Sequence, residues 1–477
     1  MPRFLLLSVF SGILGASSFL SYRLSFLIWI ACIPFFWVIT RADKRQLPVC
    51  AGAYAVTFFG IMLCWVAHVS RLGLVALLLY LSGYVIVFSF FARTFLPRRF
   101  SLCTVPALWV VFEFLREQLW TGFGWGILGY SQYSQILLIQ GADILGTKGI
   151  SFLIIMINVF LLHLFTRRKR LLFQGMTTLG IIVGAVGYSF WTMQHYPVHD
   201  TVFISIIQPN IPQELKWNPN ARTFIVDRLG ALARLSDHDR LLVYPEASWP
   251  DPVDEYTEDD FLKYIRSFNQ DVLMGALMVQ HDRFYNSAIL VTDKNTHVYH
   301  KVKLVPFGEY VPLRSLVKWV DALSGLGDIS PGVRPQLFKY QDKQFAVLIC
   351  FEDIFPLFTL NQARHSDFLI NITNDAWFKG EPEASQHLAI MTMRAIENRI
   401  SIVRSANTGI SGYVDFLGHR YLFEQDGRTT FFAGTGNFEV KLNSGRSLYN
   451  RWGDLPLLLL CGILITLGIP EVHKNAF

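Results

Sequence analysis

Eight stretches of mostly apolar sequence, each near the roughly 20 residues that a helix needs to cross a bilayer, dominate this chain of 477 residues. They run over about 4–21, 24–40, 49–69, 73–95, 102–120, 149–165, 171–191 and 455–470. No other feature constrains the fold as strongly, because backbone in lipid must satisfy its own hydrogen bonds and a helix does so within one segment. A composition 52% hydrophobic and only 16% charged agrees with a membrane protein that carries a sizeable polar domain. Arg3, followed by an apolar run ending in Gly15-Ala16-Ser17-Ser18, has the outline of a signal peptide. Six more apolar segments follow it before the polar region, so it is read as a retained span.

Charge divides the chain and orients it. Residues 1–195 hold 15 Lys and Arg against 4 Asp and Glu, whereas residues 196–453 hold 26 against 30. The overall charge of +6 therefore comes from the apolar part, which argues against a basic surface for nucleic acid. Cytoplasmic loops collect Lys and Arg. With the N-terminus inside, the inner segments carry 11 basic residues (Arg3; Arg41, Lys44, Arg45; Arg93, Arg98, Arg99; Arg167, Arg168, Lys169, Arg170). The outer ones carry only Arg23, Arg71 and Lys148. Seven spans in residues 1–195 then deliver residues 196–453 to the outer face, and residues 454–477 return the chain inside as a last span and short tail. In a bacterium this places a polar domain in the periplasm and the chain in the inner membrane.

Within residues 196–453, strand-like runs rich in Val, Ile and Phe recur at Thr201–Gln208, Leu241–Tyr244, Asp271–Val279, Ser287–Val291, Val298–Val305, Phe345–Ile349, Phe368–Ile372, Ile402–Ser405 and Phe438–Val440. Helical stretches at Arg222–Leu235, Glu258–Asn269 and Ala384–Arg399 alternate with them, which indicates an α/β domain. No Gly-rich phosphate loop and no metal-spaced His/Cys cluster is present, so neither a metal nor a diffusible cofactor is expected.

Of the six cysteines, Cys32, Cys50, Cys64, Cys103 and Cys461 fall in or beside apolar runs, where a thiol is usually a small buried hydrophobe. Cys350 instead ends the strand-like run Phe345-Ala346-Val347-Leu348-Ile349 and precedes Phe351-Glu352-Asp353. A thiol there reads as a nucleophile. Two further apolar runs end in reactive residue types: Leu242-Val243-Tyr244-Pro245-Glu246 and Val298-Tyr299-His300-Lys301. If the three meet, Glu246 takes the thiol proton, and Lys301 with the backbone N–H after the nucleophile faces the charge that develops on an attacked carbonyl. The competing reading is separate surface ions and a structural thiol.

The polar domain resembles the nitrilase, or carbon–nitrogen hydrolase, superfamily. The likeness rests on Gln208-Pro209-Asn210, Tyr244-Pro245-Glu246, Tyr285-Asn286-Ser287, Lys301 through Pro312, Cys350-Phe351-Glu352, Asn371 through Phe378 and Ser405-Ala406-Asn407-Thr408-Gly409. Seven spans before such a domain and one after it resemble the bacterial apolipoprotein N-acyltransferase family. Trp120-Thr121-Gly122-Phe123-Gly124-Trp125 and Gly129-Tyr130-Ser131-Gln132 look like that family's loop before its sixth span.

The resemblance implies a polytopic α-helical membrane bundle of about eight spans plus an α/β nitrilase-like αββα sandwich. It implies Glu246 as general base, Lys301 as oxyanion stabiliser and Cys350 as nucleophile, with Glu309 and Glu352 as supporting carboxylates. Trp217, Asn286 and Phe351 fall at positions tied to substrate or loop placement. Phe351 stands where tyrosine is common, and Lys379 where glycine is usual. The implied reaction moves an acyl chain from a membrane phospholipid, through a Cys350 thioester, to the α-amino group of a diacylated apolipoprotein. A membrane-tethered amidase with water as acceptor is the alternative.

Three further features have plain structural readings. His387, inside a helical run, is expected to be structural. Glu113 and Arg116 are costly in lipid and are read as facing protein or a water-filled cavity, where their spacing of three residues allows them to pair in a structural or a functional role. Residues 313–323 form an amphipathic pattern, read either as a helix packed on the domain or as a lid at the membrane surface with Gly325 and Gly327 as its hinge.

Overall fold

The computed structural model describes residues 1–310 except 168, 170 and 238, and residues 329–469 except 379. The 313–323 segment with its two glycines, Lys379, and the basic positions 168 and 170 lie outside the described residues. The chain divides into two units, Met1–His195 with Arg451–Phe477, and Tyr196–Asn450.

In the first unit, five segments are long and apolar enough to cross a membrane: Pro2–Leu20, Tyr22–Arg41, Arg71–Phe95, Ala142–Phe165 and Leu171–His195. Leu47–Met62 and Leu455–Gly468 are shorter apolar helices, and Ser101–Gln118 is a helix that carries Glu113, Arg116 and Glu117. The second segment is broken at Cys32. Buried Asn158 repairs the break: its Oδ1 accepts from the Cys32 N–H at 2.9 Å, and its Nδ2 donates to the Ile28 carbonyl at 3.0 Å. An interrupted helix at membrane depth needs such partners. Glu113 and Arg116 are both buried and feel each other's charge, and each makes further contacts. Glu113 Oε1 accepts from Trp109 Nε1 and the Leu128 N–H, both at 2.9 Å. The Arg116 guanidinium lies over the Phe59 ring, 5.3 Å from its centroid.

The second unit is built on twelve described strands: β1 (Asp200–Gln208), β2 (Leu241–Val243), β3 (Val272–Gln280), β4 (Arg283–Val291), β5 (Thr296–His300), β6 (Leu337–Tyr340), β7 (Lys343–Ile349), β8 (Phe368–Thr373), β9 (Ser401–Ala406), β10 (Gly412–Val414), β11 (Arg420–Leu422) and β12 (Gly434–Leu442). They form two six-stranded sheets, in the orders β12-β1-β2-β3-β4-β5 and β11-β10-β9-β8-β7-β6. In each, a parallel trio (β1-β2-β3 and β7-β8-β9) is flanked by antiparallel neighbours.

Alternation along the strands explains the layering, since successive side chains point to opposite faces. On β2, Leu241 and Val243 join the core that both sheets share, while Leu242 belongs to a second core with Ile225, Leu229 and Phe261 of the helices Arg222–Ala233 and Glu258–Arg266. On β7, Phe345, Val347 and Ile349 point into the shared core. Ala346 and Leu348 turn to Ala384, Leu388, Met391 and Ala395, which recur at helical spacing on Glu381–Asn398. The result is a helix–sheet–sheet–helix sandwich.

Two expected strands end early. Val298–Val305 stops at His300, and Leu241–Tyr244 at Val243. Lys301 and Glu246 therefore sit on the connections that follow their strands.

Candidate active site

The three strand ends converge from different sheets: Glu246 follows β2 and Lys301 follows β5 in the first, and Cys350 follows β7 in the second. Cys350 has φ +51°, a left-handed backbone that costs a residue with a side chain on the order of 1–3 kcal/mol. The turn it opens, Cys350–Ile354, is braced from beside it, where Asn371 Nδ2 donates to the Cys350 carbonyl at 3.0 Å. The residue after Glu246, Ala247, is also left-handed, at φ +44°.

Lys301 is 1% exposed, and its Nζ lies between two carboxylates, 2.9 Å from Glu309 Oε1 and 3.3 Å from Glu246 Oε1. Burial alone would lower its pKa, but Glu309, Glu246 and Cys350 outweigh that and hold it well above the usual lysine value. It stays an ammonium. Asn286 Nδ2 donates to the same two oxygens, at 2.7 Å to Glu246 Oε1 and 2.9 Å to Glu309 Oε1. Glu246 Oε2 accepts from the Asn374 N–H at 3.0 Å, and Glu309 Oε2 from the Val305 N–H at 2.8 Å. Both carboxylates are thus fixed in direction.

The Cys350 thiol is pushed well above its usual pKa by burial first and by the charge of Glu246 second, with Lys301 pulling it back. It rests as a thiol, so a nucleophilic role requires a base at the moment of attack. Glu352, fully buried, accepts from the N–H groups of Ile349, Val302 and Lys303 at 2.8–3.0 Å and from the Tyr299 hydroxyl. It ties the Cys350 turn to the Lys301 connection. Burial brings its carboxyl up to about 7 against those donors. Trp217 and Phe351 are partly exposed, and Phe351 packs edge-on against Phe355, 5.1 Å between centroids. Lys303, the neighbouring lysine, lies over the Phe355 ring instead of joining the carboxylates.

A small residue makes room for Glu246. A Cβ on Gly275 of β3 would stand 2.4 Å from the Pro245 oxygen and 2.6 Å from the Glu246 Cα. Both obstacles are backbone and cannot swing aside. Gly275→Ala is expected to displace Glu246 and to cost about 1–3 kcal/mol of stability, read as a lower melting temperature. An unchanged melting temperature would refute that account.

His387 is buried and structural in its contacts: Nε2 lies 2.8 Å from Asp353 Oδ1, and Arg404 Nη2 lies 2.7 Å from Nδ1. Asp375, Glu383 and His387 bring potential ligand atoms within 4.8 Å of one another. Arg404 also donates to Asp375 Oδ2 at 3.1 Å, so a guanidinium already supplies positive charge to this cluster. Sequence reasoning does not single out Lys216, which is buried beside Glu246. Its only sequence signal is that it precedes Trp217.

The carbon–nitrogen hydrolase family matches residues 237–442, and the apolipoprotein N-acyltransferase N-terminal domain matches residues 11–160. An apolipoprotein N-acyltransferase of Geobacter metallireducens is 35% identical, over 94% of this chain and 92% of its own. One from Haemophilus ducreyi is 28% identical, over 98% of this chain and 97% of its own. Among solved structures, a carbon–nitrogen hydrolase superfamily protein from Xanthomonas campestris matches 54% of this chain and 96% of its own, at 16% identity and a TM-score of 0.38.

Proposed function

The chain belongs to the apolipoprotein N-acyltransferase family, and from that premise we propose how its residues carry out acyl transfer in lipoprotein maturation. Glu246 takes the Cys350 proton as the sulfur attacks an ester carbonyl of a membrane phospholipid. Lys301 and the backbone N–H after Cys350 hold the oxyanion. The C–O bond breaks, Glu246 returns the proton to the leaving oxygen, and lysophospholipid departs from a thioester on Cys350. The α-amino group of a diacylglyceryl-cysteine at an apolipoprotein N-terminus then attacks that thioester. Glu246 carries its proton to the leaving thiolate, which restores the resting thiol. An α-amino pKa of about 8 leaves enough neutral amine near neutral pH. Glu309 and Asn286 hold Lys301 and Glu246 in register, and Trp217 and Phe351 are assigned to acyl-chain contact. The chemistry takes place at the periplasmic face of the bacterial inner membrane.

The observation that carries this reading is the Glu246–Lys301–Glu309 chain beside a left-handed Cys350. Its test is the intact mass of the protein after incubation with phospholipid and then with a diacylated lipopeptide. An acyl-sized adduct on Cys350 that discharges as N-acyl lipopeptide is the expected result. An adduct that decays only to free fatty acid would make water the acceptor and favour the amidase alternative.

A further inference from the structure

Lys216 lies on a segment welded to the site. The Ile211 N–H donates to Asn407 Oδ1 at 2.8 Å, and Gln213 Oε1 accepts from Asn374 Nδ2 at 2.9 Å. Asn374 is the residue whose backbone N–H holds Glu246. Lys216 is 3% exposed, and its Nζ donates to the Glu246 carbonyl at 3.0 Å, its one acceptor among the described residues. An ammonium has three N–H donors. Two are left without an acceptor in a buried place, where an unmade hydrogen bond to a charged group is costly. Lys301, by contrast, has two carboxylates around it.

We propose that Lys216 contacts substrate: its two uncommitted N–H groups take an anionic oxygen of the acyl donor beside Cys350. The inference rests on the acyl-transfer reading above and deepens it. The oxygen has two possible sources, the phosphodiester of the phospholipid or the oxyanion formed on the attacked carbonyl. Lys216 forms no covalent bond in either case.

The contact requires a charged Lys216. Burial lowers its pKa to about 8, with the charges of Glu246 and Cys350 opposing that drop. It is a cation below that pH and a neutral amine above it. The Cys350 thiol and Lys301 do not switch off in the same range, since both are held well above their usual values. Thioester formation therefore falls as pH rises through about 8. Lys216→Arg keeps its charge there, because a guanidinium stays protonated.

The experiment follows thioester formation on Cys350 in the full-length protein by intact mass, below and above pH 8. Two donors are compared, phosphatidylethanolamine in detergent micelles and a p-nitrophenyl fatty ester that lacks phosphate. Lys216→Met is expected to slow the reaction with phosphatidylethanolamine at least tenfold at neutral pH. A rise in KM confined to that lipid identifies the phosphodiester, and a fall in kcat shared by both donors identifies the oxyanion. Unchanged rates for Lys216→Met with both donors would overturn the inference. So would a flat pH profile of the unsubstituted protein through pH 8, a result that needs no variant to fold. If the unsubstituted protein forms no thioester with either donor, it is the acyl-transfer mechanism that fails.

Discussion

A Cys350→Ala variant is expected to lose both half-reactions, with product formation falling on the order of 10⁵-fold, while its catalytic unit melts where the unsubstituted protein does. The two outcomes separate because of where the residue sits. Alanine keeps the Cβ that makes φ +51° unfavourable, so the backbone strain is the same in both proteins. The residue is partly exposed, so removing its sulfur leaves no large sealed cavity. The other five cysteines belong to the other unit. Intact mass and product analysis supply the readout. Retained N-acyl product, or an acyl adduct at another residue, would sink the assignment of the nucleophile.

Lys301→Met carries the second large effect, and it acts on both activity and stability. Removing the ammonium leaves Glu246 and Glu309 facing each other across Asn286 with no cation between them. Breaking a buried ion pair by deleting one partner costs about 3–5 kcal/mol. Loss of an oxyanion donor costs roughly 10²–10³-fold in rate. Two like charges left without their cation repel, so the variant is expected to melt well below the unsubstituted protein. An unchanged melting temperature would mean that the charge of the lysine contributes nothing to stability. Adding Glu309→Gln should restore much of the stability and none of the activity.

The residues of the candidate site stand out in the sequence more clearly than some of the strands around them. Cys350, Glu246 and Lys301 each close an apolar run, and the β-branched and aromatic residues of β7 and β8 make such runs visible. β6, β10 and β11 were missed because they have only three or four residues and, unlike the equally short β2 with its Leu241-Leu242-Val243, no continuous aliphatic run; Arg420–Leu422 is nowhere fully buried. Such strands are defined by pairing with a neighbour, which no local pattern records. Asn286 is expected to serve substrate or loop placement, and no sequence pattern records that its Nδ2 donates to both Glu246 and Glu309. That depends on β4 lying beside β5, with Ser287 opposite His300. For Glu113 and Arg116, a spacing of three residues shows that the charges can meet on one helix face, but it records nothing of the Trp109 indole and the Leu128 N–H that also reach the carboxylate.

The strands that open and close the catalytic unit are a single ladder: Asp200 pairs with Leu442, and β1 and β12 run antiparallel along their whole length. Chain therefore enters and leaves this unit side by side, within about one inter-strand spacing of 5 Å. In topological terms it is a cassette: one unit, Tyr196–Asn450, interrupts the chain of the other, which resumes at Arg451. The final helix, Leu455–Gly468, therefore belongs with the helices that precede residue 196 and is no appendage of the sandwich.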